Sequence, residues 1–317
     1  LALATRFEPD TFWDEVRRYG VTVVSYTWTL MHDVVNSPRS PLERGHSVRL
    51  FVGSGMPKGL WRRLLDRFAP ARVLEFYAST EGRAVLVNLG GGKPGAKGRP
   101  LPGSAKVRVA AYDAAKERLV EGPDGFGVQC RPGQVGLLLA QADKHAQGAQ
   151  STPLRGLFQR DDAWLSTGDL FRVDADGDHW LVGATSELLD TRHGPVGPRP
   201  VEDAMADVSS VDLATVYGLP GPDGKDLIVA AVTVQPGKRL TVNALDEALG
   251  LVPEWQRPDV VRVVGEIPKT TWFRLRTEPL RDEGLVASRS GHPVWLIDRK
   301  TGRYSTLTAS IRNRLIG

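Results

Sequence analysis

Residues 9–35 read PDTFWDEVRRYGVTVVSYTWTLMHDVV, and this stretch sets the fold class. Phe12, Trp13, Val16 and Tyr19 recur at spacings of three to four, which predicts a helix over Pro9–Tyr19 with one apolar face. Asp10 is placed to cap it, and Gly20 to end it. Val21–Tyr26 is rich in β-branched residues and predicts a buried strand; Thr27–Val35 returns to helical spacing. The alternation continues outward. Ser47–Val52 predicts a strand, Pro57–Phe68 a helix with Pro57 in its first turn, and Arg72–Phe76 another strand. A βαβα order predicts an α/β fold whose mostly parallel sheet carries helices on its faces.

The texture changes after Glu81. Gly90-Gly91-Gly92 opens a Gly- and Pro-rich loop that runs to Gly103. Short strand-like pieces follow at Lys106–Tyr112, Val135–Ala140, Leu170–Val173 and His179–Val182, a pattern that predicts a small β-barrel or distorted sheet. Gln141–Arg155 is polar and reads as a loop. From Gly183 onward, helix patterns at Val201–Asp207 and Val242–Leu249 alternate with strand patterns at Leu213–Gly218, Asp226–Val234 and Val260–Val264. That predicts a small α+β unit, and hence two domains, residues 1–182 and 183–317.

Bulk properties narrow the function classes. The 317 residues are 41% hydrophobic, enough for real cores, with a formal charge of +4. No block of five or six basic residues occurs, which argues against nucleic acid as a partner. The longest apolar candidate, Val21–Val35, is broken by Ser25, Thr27, Thr29, His32 and Asp33, so no membrane span is predicted. No secretory leader pattern is present, and a single cysteine, Cys130, excludes an intramolecular disulfide; both fit a cytoplasmic setting. Cys130 precedes Arg131-Pro132-Gly133 and reads as a packing residue rather than a nucleophile. The six histidines have no ligand spacing. The chain begins at Leu1 and enters a helix pattern almost at once, from which a longer parent polypeptide is expected.

Two segments carry chemistry. The first is Glu75-Phe76-Tyr77-Ala78-Ser79-Thr80-Glu81-Gly82. An aromatic strand end runs into small residues that let a flat ring or a phosphate approach the backbone, at the edge where α/β sheets bind ligands. Thr80 can donate to a phosphate oxygen, and Glu81 can hold Mg²⁺, a hard cation that prefers oxygen. The second is Trp164-Leu165-Ser166-Thr167-Gly168-Asp169-Leu170. An aspartate after a Gly turn can accept both hydrogen bonds of a ribose diol. Each alone is weak, because a capped turn at the surface has the same composition.

Their order and spacing are stronger. Tyr77–Gly82 is similar to the Y-G-x-T-E segment of acyl-CoA synthetases and other adenylate-forming enzymes, and Ser166–Leu170 to their S/T-G-D-L segment. Between them Gly98–Gly103 resembles G-R-P-x-P-G, and Pro132–Gly136 resembles P-G-E-x-G. Gly53-Ser54-Gly55 lies where that family's backbone lines adenine. Phe12-Trp13, Val21–Tyr26 and the tail from His292 to Tyr304 resemble the fatty-acid-transport-protein and very-long-chain acyl-CoA synthetase branch. The resemblance implies the later part of a large adenylation domain followed by a small C-terminal domain. The family's phosphate-binding loop is absent from these residues, so an upstream half of the same polypeptide is expected to supply it.

The resemblance further implies ATP-dependent activation of a long-chain fatty acid through an acyl-adenylate, with CoA as acceptor and ATP, Mg²⁺ and CoA as the required small molecules. Peripheral membrane association would suit a lipid substrate. Tyr77, Ala78 and Gly53–Gly55 would line adenine, Asp169 would hold ribose, Thr80 would touch phosphate and Glu81 would hold the metal. Three departures stand against this pattern. Gly183-Ala184 replaces the family's Asp-Arg or Asp-Lys hinge, and Ser186–Val196 keeps little of the CoA-side loop. Thr271-Trp272-Phe273-Arg274 puts Arg274 where a catalytic lysine is expected, with Lys269 nearby and expected to face solvent. They favour one rival, a degenerate nucleotide-binding or regulatory member without full turnover; a second rival is a ligase that passes its acyl group to an acceptor other than CoA.

Overall fold

The structure is a computed structural model and describes residues 1–3, 6–80, 82–142, 152–270, 275–285 and 292–307. Its contacts divide the chain into two compact units, Leu1–Thr185 and Ser186–Gly317.

The first unit opens with the alternation that its sequence dictates. Helix α1 (Phe12–Tyr19) buries Trp13 and Val16 and ends at Gly20, whose left-handed φ of 57° a glycine adopts without strain. Asp10 does not cap this helix; it lies in a 3₁₀ turn, Pro9–Thr11, and Thr11 takes the N-cap position without a side-chain bond to the helix. Strand β1 (Val23–Thr27) leads to α2 (Trp28–Asn36), β2 (Leu50–Ser54), α3 (Lys58–Arg67) and β3 (Arg72–Ala78). Pro57 stands just before α3 with an extended ψ of 143° rather than inside its first turn.

The strands β1, β2 and β3 pair in parallel, and β4 (Val85–Asn88) and β5 (Arg99–Pro100) join antiparallel. The sheet is therefore mixed. β1 is also not the buried strand its composition predicts. Only Tyr26 is buried in it, because β1 pairs only with β2 among the described residues. One core joins Trp13, Tyr26, Met31, Phe51, Trp61, Leu64, Phe68 and Val73 between the helices and this sheet.

A second, antiparallel sheet follows, built from β6 (Val107–Asp113), β7 (Arg118–Leu119), β8 (Val135–Gln141), β9 (Leu154–Arg155), β10 (Ala163–Val173) and β11 (His179–Ala184). Its order is β11-β10-β8-β6-β7, with β9 on β10, so it is a half-barrel rather than a closed one among the described residues. β10 is one 11-residue strand where the sequence predicts only its end. Its register slips between Ser166 and Leu170 against β8, and between Leu170 and Phe171 against β11. Gly183 and Ala184 belong to β11, opposite Leu170 and Asp169. Cys130 packs behind this sheet: its Sγ lies 3.6 Å from the Val135 carbonyl, and a Cβ at Gly136 would sit 2.5 Å from it. Burial pushes the Cys130 thiol up to about 11. Alkylation by iodoacetamide at pH 8 should therefore run roughly 100-fold slower than for a free thiol, as followed by mass spectrometry.

The second unit begins with a hairpin, β12 (Leu189–Thr191) and β13 (Gly194–Val196). Helix α4 (Arg199–Ala206), β14 (Val211–Pro220), β15 (Asp226–Val234), α5 (Val242–Gly250), β16 (Val260–Val263), α6 (Glu278–Asp282), β17 (Val294–Asp298) and β18 (Arg303–Thr306) follow. The strands form one sheet in chain order, with the β15–β16 pair parallel and the rest antiparallel. Val201, Met205, Leu245 and Leu249 of α4 and α5 pack on Ile228, Ala230, Val232 and Val261. The β17–β18 hairpin carries the tail from His292 to Tyr304, which the periodicity reading leaves without strands.

Candidate nucleotide site

The parallel strands β1 and β2 end level at Thr27 and Ser54, β3 runs on to Ala78, and the loops that follow form the edge on which the first motif sits. One row behind that edge, Tyr26, Gly53 and Glu75 are register partners across the three strands. The Tyr26 ring crosses over Gly53 and donates its hydroxyl to Glu75 Oε2 at 2.7 Å. It can do so only because residue 53 has no side chain: a Cβ there would lie 2.4 Å from the Tyr26 carbonyl oxygen and 2.5 Å from its ring. Gly53 thus makes room for a protein side chain.

Glu75 Oε1 collects three more donors: the Gly55 N–H at 2.6 Å, the Met56 N–H at 3.2 Å and Lys97 Nζ at 2.6 Å. Glu75 is fully buried and Lys97 nearly so. A buried carboxylate needs such compensation, since desolvating an unpaired charge is expensive. Burial, and then the Glu75 carboxylate, drive the Tyr26 hydroxyl far above its usual value, so it stays a donor. Gly98, next to Lys97, has φ +79° and approaches β4 so closely that a Cβ would lie 2.1 Å from the Val87 carbonyl. Its own carbonyl accepts from the His179 N–H at 2.8 Å. Gly98-Arg99-Pro100 therefore stitches the first sheet to β11.

The two motifs meet. Tyr77 Oη donates to Asp169 Oδ2 at 2.5 Å, across 92 positions of sequence. The Tyr77 ring stands edge-on to Phe171 at 5.0 Å. Burial first, and the Asp169 carboxylate second, raise the Tyr77 hydroxyl well above its ordinary value. Gly82 closes against the other motif: a Cβ there would lie 2.7 Å from Thr167 Cγ2 and 2.8 Å from Thr167 Cα. The slip in β10 presents Asp169. Gly168 takes φ +76°, its N–H donates to Ser166 Oγ, and the Asp169 N–H donates to Thr167 Oγ1. Thr167 in turn donates to the Leu138 carbonyl at 2.9 Å.

Asp169 is half-buried, while Ser54, Ala78 and Thr80 are exposed, and nothing lies within 4 Å of where a Gly168 side chain would begin. A carboxylate, two exposed small residues and an exposed hydroxyl thus share one accessible edge, which suits a sugar and phosphates. Glu81 and Arg274 lie outside the described residues. Among the described residues no cluster of three or more His, Cys, Asp or Glu side chains is able to hold a metal ion, so the Mg²⁺ expectation rests on Glu81 alone. Lys269 does not simply face solvent: it is half-buried and bridges to Leu275, beside the Arg276 N–H bond to the Pro268 carbonyl.

Tyr26, Glu75 and Lys97 were not assignable from motif spacing. One signal was available. Glu75 alternates onto the same face as Val73, a core position, where an acidic residue demands partners.

Comparison with known proteins agrees with this geometry. The AMP-binding enzyme family model matches residues 1–145, and the AMP-binding enzyme C-terminal domain model matches residues 200–273. The chain is 28% identical over 329 aligned residues to long-chain fatty acid transport protein 2 of Rattus norvegicus, covering 99% of this chain and 53% of that protein. It is 29% identical over 297 residues to a medium/long-chain-fatty-acid–CoA ligase of Mycobacterium tuberculosis, covering 90% of this chain and 49% of that protein. It thus spans about half the length of the curated relatives it matches. The solved structure of ATP-bound MatB from Rhodopseudomonas palustris superposes with a TM-score of 0.67 at 23% identity, over 89% of this chain and 54% of that one. Two family models in the expected order, motifs that touch in space and a shared fold lead to one conclusion: the chain belongs to the AMP-binding family of adenylate-forming enzymes.

Proposed function

We propose that the protein of which these residues are part activates a long-chain fatty acid with ATP. A carboxylate oxygen of the acid attacks the α-phosphorus, the bond to the β-phosphate oxygen breaks, and pyrophosphate leaves. The thiol of CoA then attacks the acyl carbon of the adenylate, AMP departs and the thiol proton is lost to solvent. The observation that carries this reading is the Tyr77–Asp169 hydrogen bond, which joins the two motifs at one accessible edge. Asp169, held by Tyr77 and by the turn at Gly168, accepts from the ribose hydroxyls. Ala78 and Ser54-Gly55 flank the base, and Thr80 donates to phosphate. Glu81 would hold Mg²⁺, which supplies charge neutralisation on the phosphates, and Arg274 stands in for the lysine at the reacting carboxylate.

The names of the relatives support a fatty acid as substrate and CoA as acceptor. The replaced hinge pair, CoA-side loop and lysine favour the rival in which the nucleotide binds without turnover. Among the described residues no helix is long and apolar enough to cross a membrane; peripheral attachment would suit delivery of a lipid substrate. The deciding measurement is acyl-CoA formation by the full-length protein with ATP, Mg²⁺, CoA and fatty acids of graded length. Acyl-CoA product is expected. Adenylate that accumulates until an amine or carrier thiol is added would replace CoA as acceptor, and ATP binding without adenylate would establish the non-catalytic rival.

A further inference from the structure

We infer that Arg108 and Lys106 form an oxyanion site on the second sheet, built for a phosphate-bearing ligand. The inference stands apart from the nucleotide edge and does not depend on the adenylate-forming reading.

Register defines the face. Side chains alternate along a strand, and directly paired residues share a side. Arg108 pairs with Leu139 of β8, and Leu139 with Ser166 of β10. Two positions along, Gln141 pairs with Trp164 and donates its N–H to the Lys106 carbonyl. Lys106, Arg108, Gln141 and Trp164 therefore project from one face. Val109, Leu138 and Ala140 project from the other, into the core. The first four border a cavity of about 510 Å³, with Leu101 and Gln159 also on its wall.

The cavity is net positive. Arg108 lies over the Phe158 ring at 4.7 Å and the Trp164 ring at 5.2 Å. Stacking fixes the plane of a guanidinium and leaves its N–H groups for an acceptor. Neither Arg108 nor Lys106 pairs with a carboxylate among the described residues. The acid on the wall, Asp162, is buried and spent elsewhere. Its Oδ1 accepts from the Leu157 N–H, and its Oδ2 from the Phe158 and Gln159 N–H groups and from Trp164 Nε1. That carboxylate ties its own loop and steadies the ring on which Arg108 rests.

Two cations on one strand face repel, and an anion between them relieves the repulsion. The Arg108 fork matches two oxygens of one phosphate, while Lys106 adds a point charge. A phosphomonoester carries about −1.5 to −2 at pH 7, so it answers both cations where a carboxylate answers one. The cavity far exceeds the roughly 30 Å³ share of one water, which leaves room for the organic part of an ester beside Leu101. A soluble phosphoester and a phospholipid headgroup present this same group.

The test uses full-length protein at constant ionic strength. Calorimetry measures binding of inorganic phosphate. Cosedimentation measures binding to phosphatidylcholine vesicles with and without phosphatidic acid. Lys106→Gln is the main variant, because Lys106 is exposed and its loss leaves the aromatic stack intact. Arg108→Lys keeps the charge and removes the fork. Arg131→Gln removes an exposed arginine from the turn before β8 and controls for net charge. Lys106→Gln is expected to weaken binding about tenfold and Arg108→Lys at least about threefold, with Arg131→Gln unchanged. Phosphate binding assigns a soluble phosphoester, and retention on phosphatidic acid vesicles alone assigns a headgroup. Wild-type protein that takes neither probe overturns the inference. So does a folded Lys106→Gln or Arg108→Lys protein that binds like wild type, or an equal loss in Arg131→Gln.

Discussion

Asp169→Ala is expected to lower ATP-dependent adenylate formation by the full-length protein roughly 100-fold or more, without unfolding it. Charge-assisted hydrogen bonds contribute about 1.5–3 kcal/mol each, and losing two from the ribose diol reaches that range. Stability changes far less, because Asp169 is half-buried and the Tyr77 hydroxyl it leaves behind still has the Ser79 and Thr167 side chains beside it. Asp169→Asn separates the contributions. It keeps the shape and a partner for Tyr77, so its melting should match wild type while its KM for ATP stays raised. Tyr77→Phe should cost much less activity than either, since Tyr77 orients the carboxylate. Full activity in Asp169→Ala, with pyrophosphate release as readout, would remove this residue from the site.

Lys97→Met should be the most destabilising single substitution in the first unit that leaves every glycine and apolar core residue in place. Lys97 Nζ and Glu75 Oε1 are 2.6 Å apart, with side-chain exposures of 8% and 0%. Breaking a buried pair strands a charge, at a cost of about 3–5 kcal/mol, whereas replacing both partners by apolar groups is often near neutral. Tyr26→Phe removes a single hydrogen bond to the same carboxylate and should cost about 1–3 kcal/mol. Urea unfolding of the three proteins gives the order directly. Lys97→Met within 1 kcal/mol of wild type would mean that water, not Lys97, stabilises Glu75.

Much of this architecture was legible in the sequence where local rules act alone. The periodicity of Phe12, Trp13 and Val16 and the stop at Gly20 returned α1, and the apolar run at Asp226–Val234 returned β15 with its bounds. Failures fall where pairing decides. β1 reads as buried because Val23, Val24 and Tyr26 are strand formers, yet burial depends on neighbours that local composition does not encode. β10 was cut short because Ser166-Thr167-Gly168 carries turn chemistry, which here makes a slip within a strand rather than its start. The site followed the same division. Tyr77 and Asp169 could be named from motif order, and their contact supports that pairing. Motif order puts Gly53 near the nucleotide, but the packing of the Tyr26 ring over it is a tertiary fact that spacing cannot carry.

The clamp at Glu75 draws on four separated segments, at positions 26, 53, 75 and 97. Recombination experiments that splice this chain with a relative therefore have a forbidden interval. A junction between 26 and 97 would combine a tyrosine, a glycine, a glutamate and a lysine from parents that never shaped them together. Crossovers before 26 or after 97 inherit the quartet whole, and libraries built on those boundaries should yield folded hybrids far more often than libraries cut inside them.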